Sequence, residues 1–278
     1  MDQAGKAPLH AGFFLAYPHG EWYHAVFQAR QRKFLYTVQM YMTLEKILQS
    51  QGFGSRKYCR TLILDHRVSI HGKPCTDPNA SFETTGLVFS LEDRNWTYRD
   101  KLYLALHKPA GYECSHQPQH HPSVFSLLPQ PFIRRGLQCV GRLDQDTTGL
   151  LLLSDDGNFI HRYTSPRKNI PKTYHVTTVH PVDDGLISRL KNGVTLRDEN
   201  IVTRALHCQA NTHRQVTLVI AEGKYHQVKR MIAAAGNRVE NLHRAAIGGF
   251  SLDVSLPVGH WRFLDETDLA SLDTPGTM

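Results

Sequence analysis

Residues 141–157 read GRLDQDTTGLLLLSDDG, a short polar loop that runs directly into an unbroken apolar segment. The apolar segment, Leu150 to Leu153, is typical of a strand that is buried on both faces. The loop before it carries Asp144, Asp146 and two threonines. A rigid strand holding a polar loop often presents a reactive group, but Asp and Thr are also favoured in turns because they bond nearby backbone N–H groups. The local pattern alone leaves turn chemistry and catalysis both open.

The composition is that of an ordinary globular protein with a basic balance. Of the 278 residues, 41% are hydrophobic and 21% are charged, which suffices for a core and approaches the length at which chains form two domains. The formal charge of +7 and the isoelectric point near 9.2 fit a polyanionic partner. No apolar run approaches the roughly 18 residues of a membrane helix, so we expect no membrane partner.

Cysteines and histidines do not form the patterns of a disulfide framework or a metal centre. The five cysteines are odd in number and no two have C-x-x-C spacing, which favours inert thiols in a reducing cytoplasm. Histidines are densest at His116, His120 and His121, but the Pro and Gln neighbours in SHQPQHHPS indicate a solvated loop. We therefore predict no metal site.

The region after residue 42 begins with the pattern of a small module. Apolar residues from Leu44 to Leu48 have helical spacing, and Ser55 is a suitable N-cap for a second helix. The segment RVSIHGKPC, residues 67–75, predicts two short strands around a His-Gly turn. The polar segment DRNWTYRDK, residues 93–101, indicates a linker to a second domain.

The predicted domain organisation has three parts. Residues 1–41 are an upstream extension, either an over-long start assignment or an RNA-binding arm, and nothing in them frames a signal peptide. Residues 42–98 form the small module, and residues 102–272 form the second domain. In that domain we predict strands at 102–107, 204–210 and 214–221, and helices at 158–163, at 182–190 and from Tyr225 to Gly236.

The string GRLDQDTTGLLLL resembles the signature of the RsuA-type pseudouridine synthases, which isomerise a chosen uridine in ribosomal RNA. The family pattern is Gly-Arg-Leu-Asp, then a Thr, then Gly-Leu-Leu, and each element is present at the family's spacing. By this resemblance Asp144 is the catalytic carboxylate. Asp146 lies outside the pattern and is assigned to turn chemistry. The likeness extends from Met42 to Leu272.

Further family elements carry more candidate site residues. Lys172-Thr173-Tyr174 resembles the family's Lys-x-Tyr element, which implies that Tyr174 stacks on the target base. HKPAG, residues 107–111, resembles the element Asn-Lys-Pro-x-Gly, with His in place of Asn. The resemblance also makes Arg142 and Lys172 candidates for RNA contacts.

The segment EGKYHQVKRM, residues 222–231, resembles the element whose basic residue pairs with the catalytic Asp. That residue is usually Arg in the wider superfamily, and the alignment places Lys229 on it with Arg230 adjacent. Lys229 is therefore ranked first as the partner of Asp144, and Arg230 second. Because Lys lacks the planar fork of Arg, a looser pair is expected.

The resemblance also implies the fold class and an RNA-binding module. Residues 52–73 resemble the alpha-L RNA-binding module, which makes Arg56, Lys57, Arg60 and Arg67 candidates for phosphate contacts. The implied fold is α+β. It joins an alpha-L module to a catalytic domain with a mixed, mainly antiparallel β-sheet and flanking helices.

The implied reaction needs little beyond one carboxylate. Pseudouridine formation breaks the N1–C1′ bond, turns the base and forms a C5–C1′ bond, so no cofactor is expected. Glycosidases usually need two converging carboxylates, and the two-residue spacing of Asp144 and Asp146 does not require convergence. Whether the carboxylate attacks C1′, attacks C6 or removes a ribose proton stays open.

The segments TSPRKNIPKTYHVT and EGKYHQVKRMIAAAGNRVENLHR favour the small-subunit branch, with uridine 516 of 16S rRNA as the target. The alternatives are a large-subunit (23S) rRNA synthase of the same fold and a non-catalytic RNA-binding ribosome-assembly factor. The expected partner is ribosomal RNA or a ribosomal subunit assembly intermediate. The expected state is a cytoplasmic monomer.

Overall fold

The computed structural model describes residues 40–196 and 201–274. All of the predicted N-terminal extension except Met40 and Tyr41 therefore lies outside the described residues. Within the two described ranges, no helix combines the length and the apolar character needed to cross a membrane.

The described chain begins with two helices and two small antiparallel sheets. The helices are α1, Leu44–Ser50, and α2, Arg56–Leu64. The Ser55 hydroxyl accepts a hydrogen bond from the Tyr58 N–H at 3.3 Å, which confirms the predicted N-cap. The strands are β1, Tyr41–Thr43; β2, Val68–Ile70; β3, Lys73–Pro74; β4, Ser81–Glu83; β5, Val88–Leu91; and β6, Arg94–Thr97. They pair in the orders β1-β4 and β3-β2-β5-β6.

These elements enclose a hydrophobic cluster of their own, built from apolar side chains between Leu44 and Leu91. The half-buried Trp96 packs against both this cluster and the main core of the chain. Residues 40–278 make up one compact unit by their contacts. The division into domains at 42–98 and 102–272 therefore stays a prediction.

The prediction of a linker over residues 93–101 is wrong for the first half of that segment. Arg94–Thr97 forms β6, which pairs with β5 in a tight antiparallel hairpin. The turn residues Glu92 and Asp93 both have positive φ, +50° and +63°. Gly and Asn normally occupy such positions, so the polar Glu-Asp pair carries no ordinary hairpin signal.

The second part of the chain is built on one mixed sheet. Its strands are β7, Tyr103–Lys108; β8, Gln138–Cys139; β9, Thr148–Ser154; β10, Lys172–Thr178; β13, His207–Thr212; β14, Gln215–Ile220; β15, Val239–Ile247; β16, Phe250–Ser251; and β17, Trp261–Phe263. The order is β13-β14-β10-β15-β9-β7-β17, with β16 on β15 and β8 on β9. Only β9 and β15 run parallel among the described strands. A separate hairpin joins β11, Val194–Thr195, to β12, Val202–Thr203.

Five helices accompany this sheet, and with the strands they confirm the predicted α+β class with a mainly antiparallel sheet. They are α3, Gln130–Arg134; α4, Gly157–Thr164; α5, Asp184–Asn192; α6, Gln227–Ala234; and α7, Glu266–Ser271. Two 3₁₀ turns span Val124–Leu127 and Pro166–Lys168.

Three predicted element starts differ from the observed ones, two of them because of local backbone chemistry. Helix α5 begins at Asp184 because the Asp183 carboxylate caps it, accepting from the Leu186 N–H at 2.5 Å. Helix α6 begins after His226, whose φ of +48° is incompatible with a helical start at Tyr225. The strand predicted from residue 204 begins at residue 207.

Strand β9 separates two hydrophobic clusters. Leu151 and Leu153 join one cluster, and Leu150 and Leu152 join the other. All four side chains are fully buried, because successive residues of a strand point to opposite faces. The predicted two-sided burial is confirmed, and the polar loop 141–147 is held at the start of this strand.

The first helices and small sheets, over residues 40–97, are called the small module here, and the large sheet with its five helices is called the sheet domain; the two parts meet at α3. The Arg135 guanidinium pairs with Asp155 at 2.6 Å and also donates to the Gln51 side chain at 3.0 Å. It donates further to the backbone carbonyls of Arg99 and Asp100, each at 2.8 Å. At Gly52, a Cβ atom would lie 2.0 Å from the Pro131 carbonyl oxygen. The close approach of the two parts therefore requires glycine there.

Candidate active site

Asp144 lies in the loop before β9, at the edge of a pocket under helix α6. Its carbonyl accepts from the Thr147 N–H at 3.1 Å, and this closes the turn that contains Asp146. The pocket is also lined by Tyr174 from β10 and by Arg244 from β15. Residues from three parts of the chain thus converge on one carboxylate.

Lys229 is the basic side chain that reaches this carboxylate. Helix α6 buries Val228 and Met231 in the core, and this leaves Lys229 facing the loop. Its Nζ lies 3.0 Å from Asp144 Oδ2 and 2.6 Å from Asp146 Oδ1. One ammonium group is therefore shared by two carboxylates.

The assignment of Asp146 to turn chemistry alone is wrong. Burial opposes its ionisation, but the hydrogen bond and charge of Lys229 outweigh burial and lower the pKa of Asp146. Burial likewise opposes the charge on Lys229, and the two carboxylates outweigh it and raise the pKa of that ammonium. The contact between Asp146 and Lys229 therefore favours the charged form of both side chains.

Two neighbours of this charge cluster differ in what they contact. His226, which the sequence did not single out, has Nε2 at 3.3 Å from Asp144 Oδ1. Arg230, the second candidate partner, donates from Nη1 to the Tyr225 carbonyl at 3.3 Å. His226 has a left-handed backbone conformation, with φ of +48°, and that conformation has no local sequence signal.

Tyr174 lies in the pocket wall, 7% exposed, in the middle of β10. The next residue, His175, points to the opposite face of the sheet and is exposed. The tyrosine ring thus has one edge in the core and one surface on the pocket beside Asp144.

Two further cations line the pocket. Lys172 donates from Nζ to the carbonyls of Ile170 at 2.8 Å and Ala221 at 3.3 Å. Burial and the nearby charge of Arg244 lower the pKa of Lys172 to about 8. Arg244 is 3% exposed and donates from Nε to the Leu150 carbonyl at 2.8 Å. The sequence analysis assigned Arg244 no role in the site.

The HKPAG element, residues 107–111, supports the polar loop 141–147 through hydrogen bonds. The Lys108 side chain is fully buried, and its Nζ donates to the carbonyls of Pro109, Gln145 and Thr147 at 2.9 to 3.1 Å. The Gly111 N–H donates to the Gln145 carbonyl at 2.8 Å. These bonds fix the backbone on both sides of Asp146, so this element positions the loop.

Comparison with known proteins identifies the family at this point. Residues 102–234 match the RNA pseudouridylate synthase family. The chain is 41% identical to ribosomal small subunit pseudouridine synthase A of Escherichia coli, over 83% of this chain and 100% of that protein. The protein of the same name from Yersinia pestis is 45% identical to this chain, over 84% of this chain and 99% of the Yersinia protein.

The chain belongs to the RNA pseudouridine synthase family. A solved structure described as a pseudouridylate synthase agrees in fold, with a TM-score of 0.59 and 35% identity. The alignment with this structure covers 83% of the present chain and 99% of the solved chain. The family match includes Asp144 and Tyr174, which line the pocket, and Lys229, which contacts Asp144.

In this pseudouridine synthase, the predicted RNA-binding residues of the small module are partly neutralised. Arg56 and Arg60 pair with Glu45 at 2.5 Å and 3.4 Å, and the Glu45 side chain is only 2% exposed. Arg67 pairs with Glu92. Lys57 is exposed on the surface of α2, and Arg142 is exposed at the active-site pocket. The sequence analysis missed Glu45 because it lies outside the basic segment.

The histidine cluster and two of the cysteines have defined neighbours in the structure. His116, His120 and His121 are all exposed in a loop, as predicted, and the His116 ring also stacks on Phe125 with ring centroids 3.7 Å apart. The thiols of Cys114 and Cys139 hydrogen-bond one another, and this contact lowers the pKa of Cys114. No group of three His, Cys, Asp or Glu side chains within residues 40–196 and 201–274 has the geometry to hold a metal.

Proposed function

We propose that this pseudouridine synthase isomerises one uridine of small-subunit ribosomal RNA, with Asp144 as its catalytic carboxylate. The observation that carries the proposal is the ammonium of Lys229 at 3.0 Å from Asp144, in a pocket that Tyr174 lines. The named relatives are small-subunit enzymes and are covered over almost their whole length. Uridine 516 of 16S rRNA is the proposed target, and a cytoplasmic monomer without a cofactor is the proposed form.

The proposed chemistry uses the pocket as follows. The target uridine leaves its stack, because C1′ and C5 are inaccessible within a helix. The loosened uracil stacks on Tyr174, which offsets part of the unstacking cost. Asp144, 3.0 Å from the Lys229 ammonium, serves either as the nucleophile at C1′ or C6 or as the base for a ribose proton. The N1–C1′ bond breaks, the base turns, and C5 bonds to C1′. C5 then loses its proton and N1 gains one, so no electrons are gained or lost overall.

The RNA backbone is proposed to contact exposed cations on both parts of the chain. Arg142 is at the mouth of the pocket, and Lys57 is exposed on α2. Contacts of this kind set affinity and register, while the flipped base is recognised in the pocket. The substrate is ribosomal RNA, free or within an assembly intermediate.

The experiment is pseudouridine mapping by carbodiimide block and primer extension on both ribosomal RNAs. Cells that lack this protein are compared with cells complemented by the wild type or by Asp144→Asn. We expect one small-subunit site to disappear and only the wild type to restore it. The purified Asp144→Asn variant should retain RNA affinity within about a few-fold, since the pocket's cations remain.

Other outcomes discriminate between the alternatives. Loss of a pseudouridine in large-subunit rRNA would assign the enzyme to the large-subunit branch of the family instead. Restoration of the site by Asp144→Asn would refute the catalytic assignment. An unchanged map would favour a non-catalytic RNA-binding role in ribosome assembly.

A further inference from the structure

A second cavity, of about 550 Å³, lies where the small module meets the sheet domain. Its volume is within the range of ordinary ligand sites. Its wall is a chain of aromatic rings set edge to face, with neighbouring centroids 5.0 to 6.2 Å apart: Phe53, Trp96, Phe132, Trp261 and Phe263. Trp96, Trp261 and Phe263 are only half-buried, so part of their ring surface faces the opening.

Two arginines complete the lining. Arg99 lies over the Phe263 ring, with Cζ 3.7 Å from its centroid, and Arg94 is exposed at the rim. Neither has a carboxylate within 4 Å among the described residues, whereas Arg135 on the adjacent helix is paired with Asp155. The cavity therefore carries two positive charges that the described chain does not compensate.

Of these two arginines, Arg99 has the more unusual environment. Its Nε is buried and has no hydrogen-bond partner, and burial lowers the pKa of its guanidinium. A shielded cation without a counter-charge costs free energy unless something else supplies the missing partner. An anionic ligand in the cavity would supply it.

Aromatic faces combined with unpaired arginines are the means by which proteins hold single-stranded RNA. Bases stack on the rings, and guanidinium groups take the phosphates and add cation–π contacts. The same rings would suit an apolar ligand, but such a ligand would leave both charges uncompensated. An acidic peptide would satisfy the charges, but it would use the ring faces less well than planar bases do.

We propose that this junction cavity binds one unstacked nucleotide of the substrate RNA, with its base on Trp96 or Trp261 and its phosphate on Arg99 and Arg94. The inference rests on the proposed function, because it takes RNA as the substrate. A second anchored nucleotide would fix the register of the RNA strand. It would thereby help to determine which uridine reaches Asp144.

The test uses tryptophan fluorescence. The chain has three tryptophans, so Trp22→Phe leaves Trp96 and Trp261, both in the cavity, as the only emitters. A single-stranded uridine hexanucleotide is titrated into this full-length protein. We expect saturable quenching. Arg99→Gln in the same background should weaken binding about tenfold and lower the slope of log affinity against log salt by about one.

The matched control is Arg238→Gln, which removes an equal charge from an exposed position outside the cavity. It should change the affinity less than about twofold. Arg99→Gln should fold, because the contacts of Arg99 with Gln51 and Arg135 use its backbone. Arg94→Gln, at an exposed rim position, is a second variant that should also weaken binding.

Equal affinities for the Arg99, Arg94 and Arg238 variants would overturn the inference, as would quenching by poly-glutamate but not by RNA. Pseudouridine formation in 16S transcripts is measured in parallel. If the wild type forms pseudouridine but the cavity variants bind normally, only the cavity inference fails. If no pseudouridine forms while Arg99→Gln still weakens binding, the proposed function fails and the cavity remains an RNA site.

Discussion

At the scale of single residues, the site depends on one ammonium shared between two carboxylates. Lys229 contacts Asp144 at 3.0 Å and Asp146 at 2.6 Å. Lys presents a compact charge on a flexible stem, so it can serve two acceptors that do not lie in one plane. The planar fork of Arg suits a single bidentate partner better.

Lys229→Met should lower the single-turnover rate of pseudouridine formation by about 10²- to 10³-fold, because two adjacent carboxylates lose their counter-charge in a partly buried site. Asp146→Asn keeps the contact between Asp144 and Lys229 and should cost less than about tenfold. Rapid-quench assays on a ribosomal RNA fragment would measure both. Equal losses in the two variants would contradict a special role for the Asp144 contact.

At the scale of elements, the loop is positioned by the parallel contact between β9 and β15. Gly149 lies opposite Arg244 in this pairing, with φ of +103°. A Cβ atom at Gly149 would lie 2.3 Å from the Arg244 carbonyl oxygen. The glycine after the polar loop is thus required by the close approach of two backbones.

Gly149→Ala should therefore destabilise the protein by about 2 kcal/mol or more, since both the positive φ and the backbone clash oppose a side chain. Gly157→Ala is the matched control, because a Cβ there meets nothing within 4 Å and φ is not positive. That substitution should be neutral or slightly stabilising. Urea unfolding monitored by circular dichroism would compare them, and similar midpoints for the two variants would refute the argument.

At the scale of the whole molecule, the sheet domain buries cations without carboxylate partners. Lys108 and Lys172 are satisfied by backbone carbonyls, as is the Nε of Arg244. Burial lowers the pKa of both lysines, in the case of Lys172 to about 8. The free-energy cost of burying these charges arises only in the folded state.

The free energy of unfolding should therefore depend on Lys172 at alkaline pH. Between pH 8 and 10.5 the folded state releases a proton that the unfolded chain keeps, so this contribution to stability rises with pH by at most about 1.4 kcal/mol per unit. Urea unfolding at pH 7 to 10 would compare the wild type with Lys172→Met. The exposed Lys46→Met is the control. Parallel curves for the wild type and Lys172→Met would contradict the burial argument.

Local patterns predicted much of this architecture. The Ser55 cap, the two-sided burial of Leu150 to Leu153 and the hairpin at RVSIHGKPC are confirmed because each depends on neighbours along the chain. Errors arose where a side chain or backbone angle departs from its usual preference. The Glu92-Asp93 turn and the left-handed His226 are of that kind.

Through its resemblance to a known family, the sequence by itself indicated the α+β class and the set of candidates Asp144, Tyr174 and Lys229, because the long motifs that carry the resemblance are continuous along the chain. Only the tertiary structure decided that Asp146 shares Lys229, that Glu45 neutralises Arg56, and that Arg99 faces an aromatic cavity. Those contacts join residues 11 to 164 positions apart. Packing sets such distances, and no local pattern encodes them.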